Sequence, residues 1–338
     1  MTTTATKAYD VFSAGNALME ATIRVDDEAL KSIGLPKSGM RLIDATGLLS
    51  ITQEWRGNLQ SIVPAGAECN VATGVRWLGG RAFFHGRVGQ DETGNQYENR
   101  LAQLGVHTRL TRGPGHTGQI LSFVTPDHER SMLTHLGEAA HFSVEDLDTR
   151  PVVSAKMVFI SAFFFQPEST RATAFQVVKA ARSLQIPIAF DASDARLVEE
   201  NGDLIMTVLE QYADFAFVNE PELQAVGSVC GEDPEAYLGK HVPTFLVKKG
   251  QQGATAFCHG RSHQIPAFTV DVVDTTGAGD AFAAGFLFAT LRGYAPADAG
   301  RLGCLLASRV VSQYGSCLSG RGSTSFWNQF ESRSRPAT

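Results

Sequence analysis

Short, almost wholly apolar runs alternate with longer stretches of helical periodicity along most of this 338-residue chain. Residues 157–161 and 186–190 are two such runs, and residues 169–184 between them have the spacing of a helix. Continuous apolar strands are typical of a parallel sheet that is covered on both faces. Because parallel neighbours need helical crossovers, the alternation predicts an α/β fold with a Rossmann-like, mainly parallel central sheet flanked by helices.

Three segments in the N-terminal half break this rhythm and look like alternating strands without helical crossovers. They cover residues 19–27, 40–64 and 117–136. The third has a turn around Pro126 between two strand-like stretches, which is the spacing of a hairpin. We therefore predict a small β lid inserted into a single domain that covers residues 1–338.

The composition excludes several classes of function. Apolar residues make up 43% of the chain and charged residues 19%, which is ordinary for a globular protein. The formal net charge is −6 and no basic run stands out, so we expect no nucleic-acid partner. No apolar stretch reaches the ~20 residues of a membrane span, the N-terminus has no hydrophobic leader segment, and the five cysteines form no CxxC pair. We expect a cytoplasmic protein without a membrane partner.

The most informative segment runs from Asp274 to Phe282 and reads DTTGAGDAF. Its three small residues precede a predicted helix over 279–291, so backbone amides and the helix dipole form an anion site there. Asp280 in the first helical turn is placed to take a proton from an attacking hydroxyl. A glycine-rich turn with Asp280 as a helix cap is the alternative for an isolated GxGD sequence. The flanking residues favour the anion site.

This segment resembles the C-terminal signature of the ribokinase-like (PfkB-type) sugar and nucleoside kinases. Three other stretches match the family in the family's order. Residues 64–94 are similar to its N-terminal signature, residues 219–222 (NEPE) to its NxxE motif, and residues 249–253 (KGQQG) to its nucleotide-side glycine turn. The resemblance covers nearly the whole chain, and residues 15–30 are most similar to the adenosine-kinase-like branch.

The resemblance implies a kinase that uses ATP and Mg²⁺ to phosphorylate a primary hydroxyl group of a sugar. A nucleoside acceptor is the alternative within the same fold. A catalytically silent regulator that binds sugars or nucleosides is the alternative from another class, and such a protein does not need an acid at position 280. The partner is a small molecule in each case, and a homodimer formed through the lid is left open.

By position, the resemblance assigns the general base to Asp280 and the anion hole to the amides of Gly277, Ala278 and Gly279. It also implies the residues that contact the acceptor: Asn16, Glu20, Gly66 and Asn70. Arg130 in the lid hairpin is either a phosphate contact or an exposed edge charge.

For the nucleotide and its ions, the resemblance implies a second group of residues. Asn219 and Glu222 would hold the network of Mg²⁺, water and phosphate. The nucleotide pocket would be bordered by Lys249, Gly250, Gly253 and Gly315. Asp274 and Thr276 occupy positions that ligate a monovalent cation in some family members, which implies K⁺.

Two departures from the adenosine-kinase-like branch weaken the case for adenosine. Glu20 stands where that branch usually has aspartate, so the carboxylate reaches about one methylene further. Ala65 replaces the first glycine of a Gly-Gly hinge, which restricts positive φ. Residues 113–118 (GPGHTG) match the GxGxxG fingerprint, but the β-like segment after them argues against a dinucleotide site.

Overall fold

The computed structural model describes residues 7–331, so both predicted domain limits, at 1 and 338, lie outside the described part. Its strands are β1 (Tyr9–Ala14), β2 (Leu18–Arg24), β3 (Met40–Leu42), β4 (Leu59–Ala65), β5 (Ala82–Gly89), β6 (His107–Gly113), β7 (Gly118–Val124), β8 (Arg130–His135), β9 (Ala155–Ser161), β10 (Ile188–Asp191), β11 (Phe215–Asn219), β12 (Thr244–Lys248), β13 (Ala254–Cys258) and β14 (Arg261–Ile265).

Helices connect most of these strands. They are α1 (Asp27–Ile33), α2 (Ala45–Glu54), α3 (Ala67–Trp77), α4 (Glu92–Leu104), α5 (Arg150–Val153), α6 (Ala162–Phe165), α7 (Glu168–Ser183), α8 (Ala195–Glu200), α9 (Gly202–Gln211), α10 (Glu220–Cys230), α11 (Pro234–His241), α12 (Ala278–Thr290), α13 (Pro296–Val310) and α14 (Thr324–Glu331). Within the described residues, no helix combines the length and apolar character that a membrane crossing requires.

A nine-stranded sheet forms the body, in the order β14-β13-β12-β11-β10-β9-β1-β5-β6. Pairing is parallel from β12 to β6, and the edge strands β13 and β14 are antiparallel. Successive residues of a strand serve opposite faces, as Val11 and Phe12 do in β1, so helices cover a separate apolar core on each side. This is the predicted α/β architecture.

A second sheet of five strands, in the order β3-β8-β7-β2-β4, forms the lid. Strand β2 pairs antiparallel with β4 and parallel with the central strand β7, and β7 and β8 form the predicted hairpin. The lid has its own small core, in which Phe123 and Leu133 of the sheet meet Leu30 and Leu48 of α1 and α2.

The prediction that residues 40–64 contain only strands was wrong, because α2 lies in the middle of this segment. Asp44 caps the helix by accepting a hydrogen bond from the amide of Gly47 at 2.7 Å. Leu48 and Ile51, one turn apart, then pack on the lid core. The segment 113–118 joins β6 of the body to β7 of the lid and leads into a strand, so it lacks the helix that a dinucleotide fingerprint requires.

Candidate active site

A cavity of about 740 Å³ lies between the carboxyl ends of the body strands and the lid. Asp191, Asn219 and Lys248 reach it from the ends of β10, β11 and β12, and Glu20 and Arg130 reach it from the lid. The carboxyl ends of parallel strands are the usual place for a ligand in an open α/β sheet. The cavity is therefore the candidate active site.

Helix α12 begins at the cavity without a side-chain cap. Its N-cap residue, Gly277, has a φ of 76°, and a Cβ there would lie 2.7 Å from the Cβ of Ser316, so only glycine fits. The amide of Ala278 makes a 3.3 Å bond to the carbonyl of Thr275. In the described part of the chain, the amides of Gly277 and Gly279 have no acceptor. These free donors and the positive end of the helix suit an anion.

Asp280 lines the cavity from the first turn of α12, and its Oδ2 accepts a hydrogen bond from Nδ2 of Asn70 at 2.8 Å. Burial raises the pKa of Asp280 to about 7, and the neighbouring carboxylate of Asp191 acts in the same direction. The Asn70 hydrogen bond and the charge of Lys248 partly oppose this shift. A carboxyl group with a pKa near neutrality both gains and loses a proton readily at physiological pH.

Lys248 and Asp191 form an ion pair at 2.8 Å beside the α12 N-terminus. A Cβ added at Gly279 would lie 3.2 Å from Nζ of Lys248, so the ammonium group borders the anion site. Burial alone would lower the pKa of Lys248, but the charges of Asp191 and Glu222 raise it above its usual value. Lys249 was predicted at this site and the pair of Asp191 and Lys248 was not, although Asp191 directly follows the predicted strand 186–190.

Asn219 and Glu222 form a capping box at the start of α10. The amide of Glu222 donates to Oδ1 of Asn219, and the carboxylate of Glu222 accepts from the amide and Nδ2 of Asn219, each at 2.8 Å. Both residues line the cavity, and burial raises the pKa of Glu222 to about 7. The two residues predicted to organise the metal and phosphate network thus also cap a helix.

The predicted acceptor residues Asn16 and Asn70 lie together on the cavity wall. Nδ2 of Asn16 donates to the carbonyl of Phe163 at 3.2 Å. The side-chain oxygens of both asparagines are buried and have no hydrogen-bond donor in the described structure. Gly66 has a φ of 107°, and a Cβ there would lie 2.1 Å from the carbonyl oxygen of Asn16, so glycine is required.

Glu68, which the sequence analysis did not single out, lines the same wall and is fully buried. Its Oε1 accepts hydrogen bonds from the amide and hydroxyl of Ser161, at 2.8 and 2.6 Å, whereas Oε2 has no donor among the described residues. Burial raises the pKa of Glu68 to about 7. Gly15 makes room for the carboxyl group, because a Cβ there would lie 2.3 Å from Oε2.

Glu20 lines the cavity from β2, but its carboxylate oxygens already have protein partners. Oε1 accepts from the hydroxyl of Ser122 at 2.5 Å and Oε2 from the hydroxyl of Ser316 at 2.7 Å. Arg130 also lines the cavity, with only a 3.3 Å contact from Nη1 to Sδ of Met132 and no ion pair within residues 7–331. Arg130 therefore has a guanidinium group available for an anion, whereas each oxygen of Glu20 already accepts one hydrogen bond from the protein.

The predicted nucleotide-side residues separate into two pairs. Lys249 and Gly250 line the cavity. Gly253 and Gly315 are not among its described lining residues. A Cβ at Gly253 would lie 2.0 Å from the carbonyl of Ile265, and one at Gly315 would lie 2.8 Å from Oγ of Ser61 on the lid. Glycine at position 253 thus lets the chain approach Ile265 closely, and glycine at position 315 lets it approach the lid closely.

Asp274 and Thr276 lie in the loop before α12, and Asp274 is fully buried. Oδ1 of Asp274 accepts from the amide and hydroxyl of Thr276 at 2.9 and 2.6 Å, and Oδ2 accepts from the amide of Gly315 at 2.9 Å. None of the ion pairs in residues 7–331 includes Asp274. A buried carboxylate without a cationic side chain beside it is compatible with a nearby cation.

For the implied Mg²⁺, no group of three or more histidine, cysteine, aspartate or glutamate residues in the described chain suits a metal ion. Mg²⁺ needs no such cage where substrate phosphates and water supply most of its ligands. The carboxylates of Asp191 and Glu222 at the cavity fit an ion of that kind.

Comparisons with known proteins give a consistent result. The profile of the pfkB family carbohydrate kinases matches residues 41–321. Fructokinase from Escherichia coli is 30% identical to this chain over 232 residues, which is 66% of this chain and 76% of that protein. The match confirms the predicted family resemblance.

Two solved structures have the same fold at 28% sequence identity. Adenosine kinase from Sinorhizobium meliloti has a TM-score of 0.85 and covers 92% of this chain and 96% of its own. A probable sugar kinase from Rhizobium etli CFN 42 has a TM-score of 0.87 and covers 97% of this chain and 99% of its own. The predicted fold class is confirmed.

Proposed function

Because the chain belongs to the pfkB family of carbohydrate kinases, which are phosphotransferases acting on hydroxyl groups, we propose that it phosphorylates a primary hydroxyl of a sugar with ATP. The observation that carries this proposal is Asp280, with a pKa of about 7, beside the uncapped N-terminus of α12. A base and an anion site thus adjoin one cavity, as transfer of a phosphoryl group to a hydroxyl requires.

In the proposed mechanism, the carboxylate of Asp280 accepts the proton of the acceptor hydroxyl. The hydroxyl oxygen then forms a bond to the γ-phosphorus of ATP while the bond between that phosphorus and the bridging oxygen of ADP breaks. The free amides of Gly277 and Gly279 stabilise negative charge on the transferring group, and Asn70 holds Asp280 in position. Little covalent chemistry is required of the protein, which suits a site made of glycines and one acid.

The phosphates of ATP meet further positive charge in the cavity. Lys248 borders the anion site, Lys249 and Gly250 line the adjoining wall, and Arg130 approaches from the lid. Mg²⁺ carried by the nucleotide would neutralise phosphate charge, with Asp191 and Glu222 as the residues that hold its water ligands. Asn219 fixes the carboxylate of Glu222 for that task.

A sugar acceptor is supported by three unpartnered oxygens on one wall, in the side chains of Asn16, Glu68 and Asn70. Buried acceptor atoms without donors are costly, and the hydroxyl groups of a sugar would supply those donors. The alternative is a nucleoside of the adenosine type, which the similarity to adenosine kinase from S. meliloti favours. The alternative from another class is a silent regulator, and such a protein would not need the raised pKa of Asp280.

The deciding experiment mixes the protein and MgATP with D-fructose, D-ribose or adenosine in turn, and measures ADP release and the phosphorylated product. A phosphorylated sugar is the expected product. Phosphorylation of adenosine alone would favour the nucleoside alternative. Binding of a sugar or adenosine without any ADP release would favour the silent regulator and contradict the proposed kinase.

We further propose that K⁺ binds near Asp274 and Thr276, because Asp274 is a buried carboxylate without a cationic partner in the described chain. Replacing K⁺ by choline should then lower turnover.

We also keep a homodimer through the lid as a proposal, because Leu42, Leu59 and Ile62 on lid strands are exposed by 49%, 38% and 36%. Sedimentation equilibrium tests it. The cytoplasmic location stays a prediction.

A further inference from the structure

The short segment Gly315–Ser316, after α13, touches both the lid and the anion site. A Cβ at Gly315 would lie 2.8 Å from Oγ of Ser61 on β4, and the hydroxyl of Ser316 donates to Glu20 on β2. On its other side, the amide of Gly315 donates to Asp274 in the loop that precedes α12. The segment is therefore the place where two strands of the lid meet the loop that carries the anion site.

Glu20 is the side chain that links the lid to this segment. It is fully buried, and its two oxygens accept from Ser122 within the lid and from Ser316 of the body. These two partners are separated from Glu20 by 102 and 296 positions in the sequence. The first bond holds the carboxylate in the lid, and the second extends from the lid to the body.

Ser316 lies directly against the start of α12. The Cβ that glycine lacks at position 277 would lie 2.7 Å from the Cβ of Ser316 and 2.9 Å from its Cα and carbonyl oxygen. A shift of Ser316 toward α12 would therefore push on Gly277, and a shift away would leave it unsupported. The position of the free amides depends on where Ser316 sits.

We propose that Glu20 is a positioning residue, which sets the anion site through Ser316 when the lid rests on the body. This inference rests on the proposed kinase function. It gives Glu20 a role beside the predicted contact with the acceptor, because each oxygen of its carboxylate already accepts a hydrogen bond from a serine hydroxyl.

Two serine variants distinguish the effect of the Glu20–Ser316 hydrogen bond between lid and body from a general effect on the stability of the lid. Ser316→Ala removes the bond between lid and body, whereas Ser122→Ala removes a bond to the same carboxylate inside the lid. Both serines are buried, so the two changes cost similar packing. Amide hydrogen exchange over residues 275–280 is measured on the protein alone, and kcat and KM are measured with MgATP and whichever of D-fructose, D-ribose or adenosine is turned over.

For Ser316→Ala we expect faster exchange over residues 275–280 and a kcat about tenfold lower, with KM for the acceptor little changed. For Ser122→Ala we expect exchange in that segment and kcat to stay within about twofold of the unmodified protein. Glu20→Gln retains an oxygen and an amide group that bond to serine hydroxyls, so it should keep more activity than Glu20→Ala.

Equal effects of the two serine variants on exchange and kcat would overturn the proposal, as would a rise in the KM of the acceptor alone. If the unmodified protein phosphorylates none of the three acceptors, the proposed function fails, and the exchange comparison still decides whether Ser316 positions the α12 N-terminus.

Discussion

Helices α10 and α12 both begin at the same cavity, and their N-termini are built in opposite ways. At α10, Asn219 and Glu222 satisfy one another's backbone amides, and Pro221 in the first turn has no amide hydrogen. At α12, Gly277 provides no side-chain cap, and the amides of Gly277 and Gly279 have no acceptor in the described chain. Only α10 has a side-chain cap, because the N-cap position of α12 accepts no residue but glycine.

This difference shows where stability has been given up for function. Glycine in place of a capping side chain costs a helix only about a few tenths of a kcal/mol, so the start of α12 forgoes roughly that amount. In return, its donors and its positive dipole are available to a bound anion. We interpret α12 as the end that binds phosphate, and α10 as the end that supports the fold while it holds Glu222 for the proposed metal network.

The largest expected effect comes from the acid at the uncapped end. Asp280→Asn retains the size of the side chain and removes its capacity to accept a proton. We expect kcat to fall by roughly 10²–10⁴, with little change in KM for ATP or the acceptor. Steady-state ADP release measures this, and near-normal turnover would return Asp280 to a structural role.

The next largest effect is expected from closing the free end of α12. Gly279→Val places side-chain atoms between the amides and Lys248, whose Nζ would lie 3.2 Å from the new Cβ. We expect kcat to fall by about 10²-fold, as for the loss of one anion-hole donor, with a cooperative thermal melt retained. Gly57→Ala is the matched control, because a Cβ there meets nothing within 4 Å. A variant that does not fold would show that Gly279 serves the backbone instead.

A moderate effect on kcat/KM is expected from a change of pH, because the pKa of Asp280 is about 7. The base must be deprotonated, so kcat/KM should rise about tenfold per pH unit below pH 7 and level off above it. A profile that is flat between pH 6 and 8 would contradict the assignment of Asp280 as the base.

The same raised pKa makes the free energy of unfolding fall as the pH rises, whereas kcat/KM rises over that range. Burial holds the pKa of Asp280 above its ordinary value of 3.8, so the folded state binds this proton more tightly than the unfolded chain does. The stabilisation is complete below pH 4 and is lost as the pH rises through about 7. Asp280→Asn should therefore gain stability relative to the unmodified protein between pH 5 and pH 8 in thermal melts.

Of these variants, one at the capped N-terminus of α10 should lower kcat least and should lower the free energy of unfolding most clearly. Asn219→Ala removes the hydrogen bond to the amide of Glu222, and we expect the free energy of unfolding to fall by about 1 kcal/mol. We expect kcat to change less than in Gly279→Val. Urea unfolding and ADP release measure the two quantities, and a larger loss of kcat than in Gly279→Val would mean that Asn219 and Glu222 contribute more to phosphoryl transfer than the free amides of α12 do.

The sequence predicted the parts of the site whose partners are close together in the chain. Gly277 and Asp280 are three positions apart, and so are Asn219 and Glu222, so each motif can be recognised within one turn. Helix α2 was missed despite a local signal, because Asp44 was not interpreted as its N-cap.

The rest depends on contacts between distant segments. Lys248 and Asp191 are 57 positions apart, and Glu68 and Ser161 are 93 positions apart. No periodicity or spacing indicates which side chains such segments bring together. Glu20 was predicted to face a substrate, and only the fold reveals the two serines that occupy its carboxylate.

The order of strands in the lid has a consequence for how the chain folds. Strand β2 pairs with β4, which begins after α1, β3 and α2, and also with β7, which is about 100 positions further along than β2, after β5 and β6 of the body. During synthesis, β2 and β4 therefore form a two-stranded ribbon whose inner edge stays open until β7 is made. Open strand edges pair readily with other chains, so we expect newly made copies to mispair at this edge of the lid.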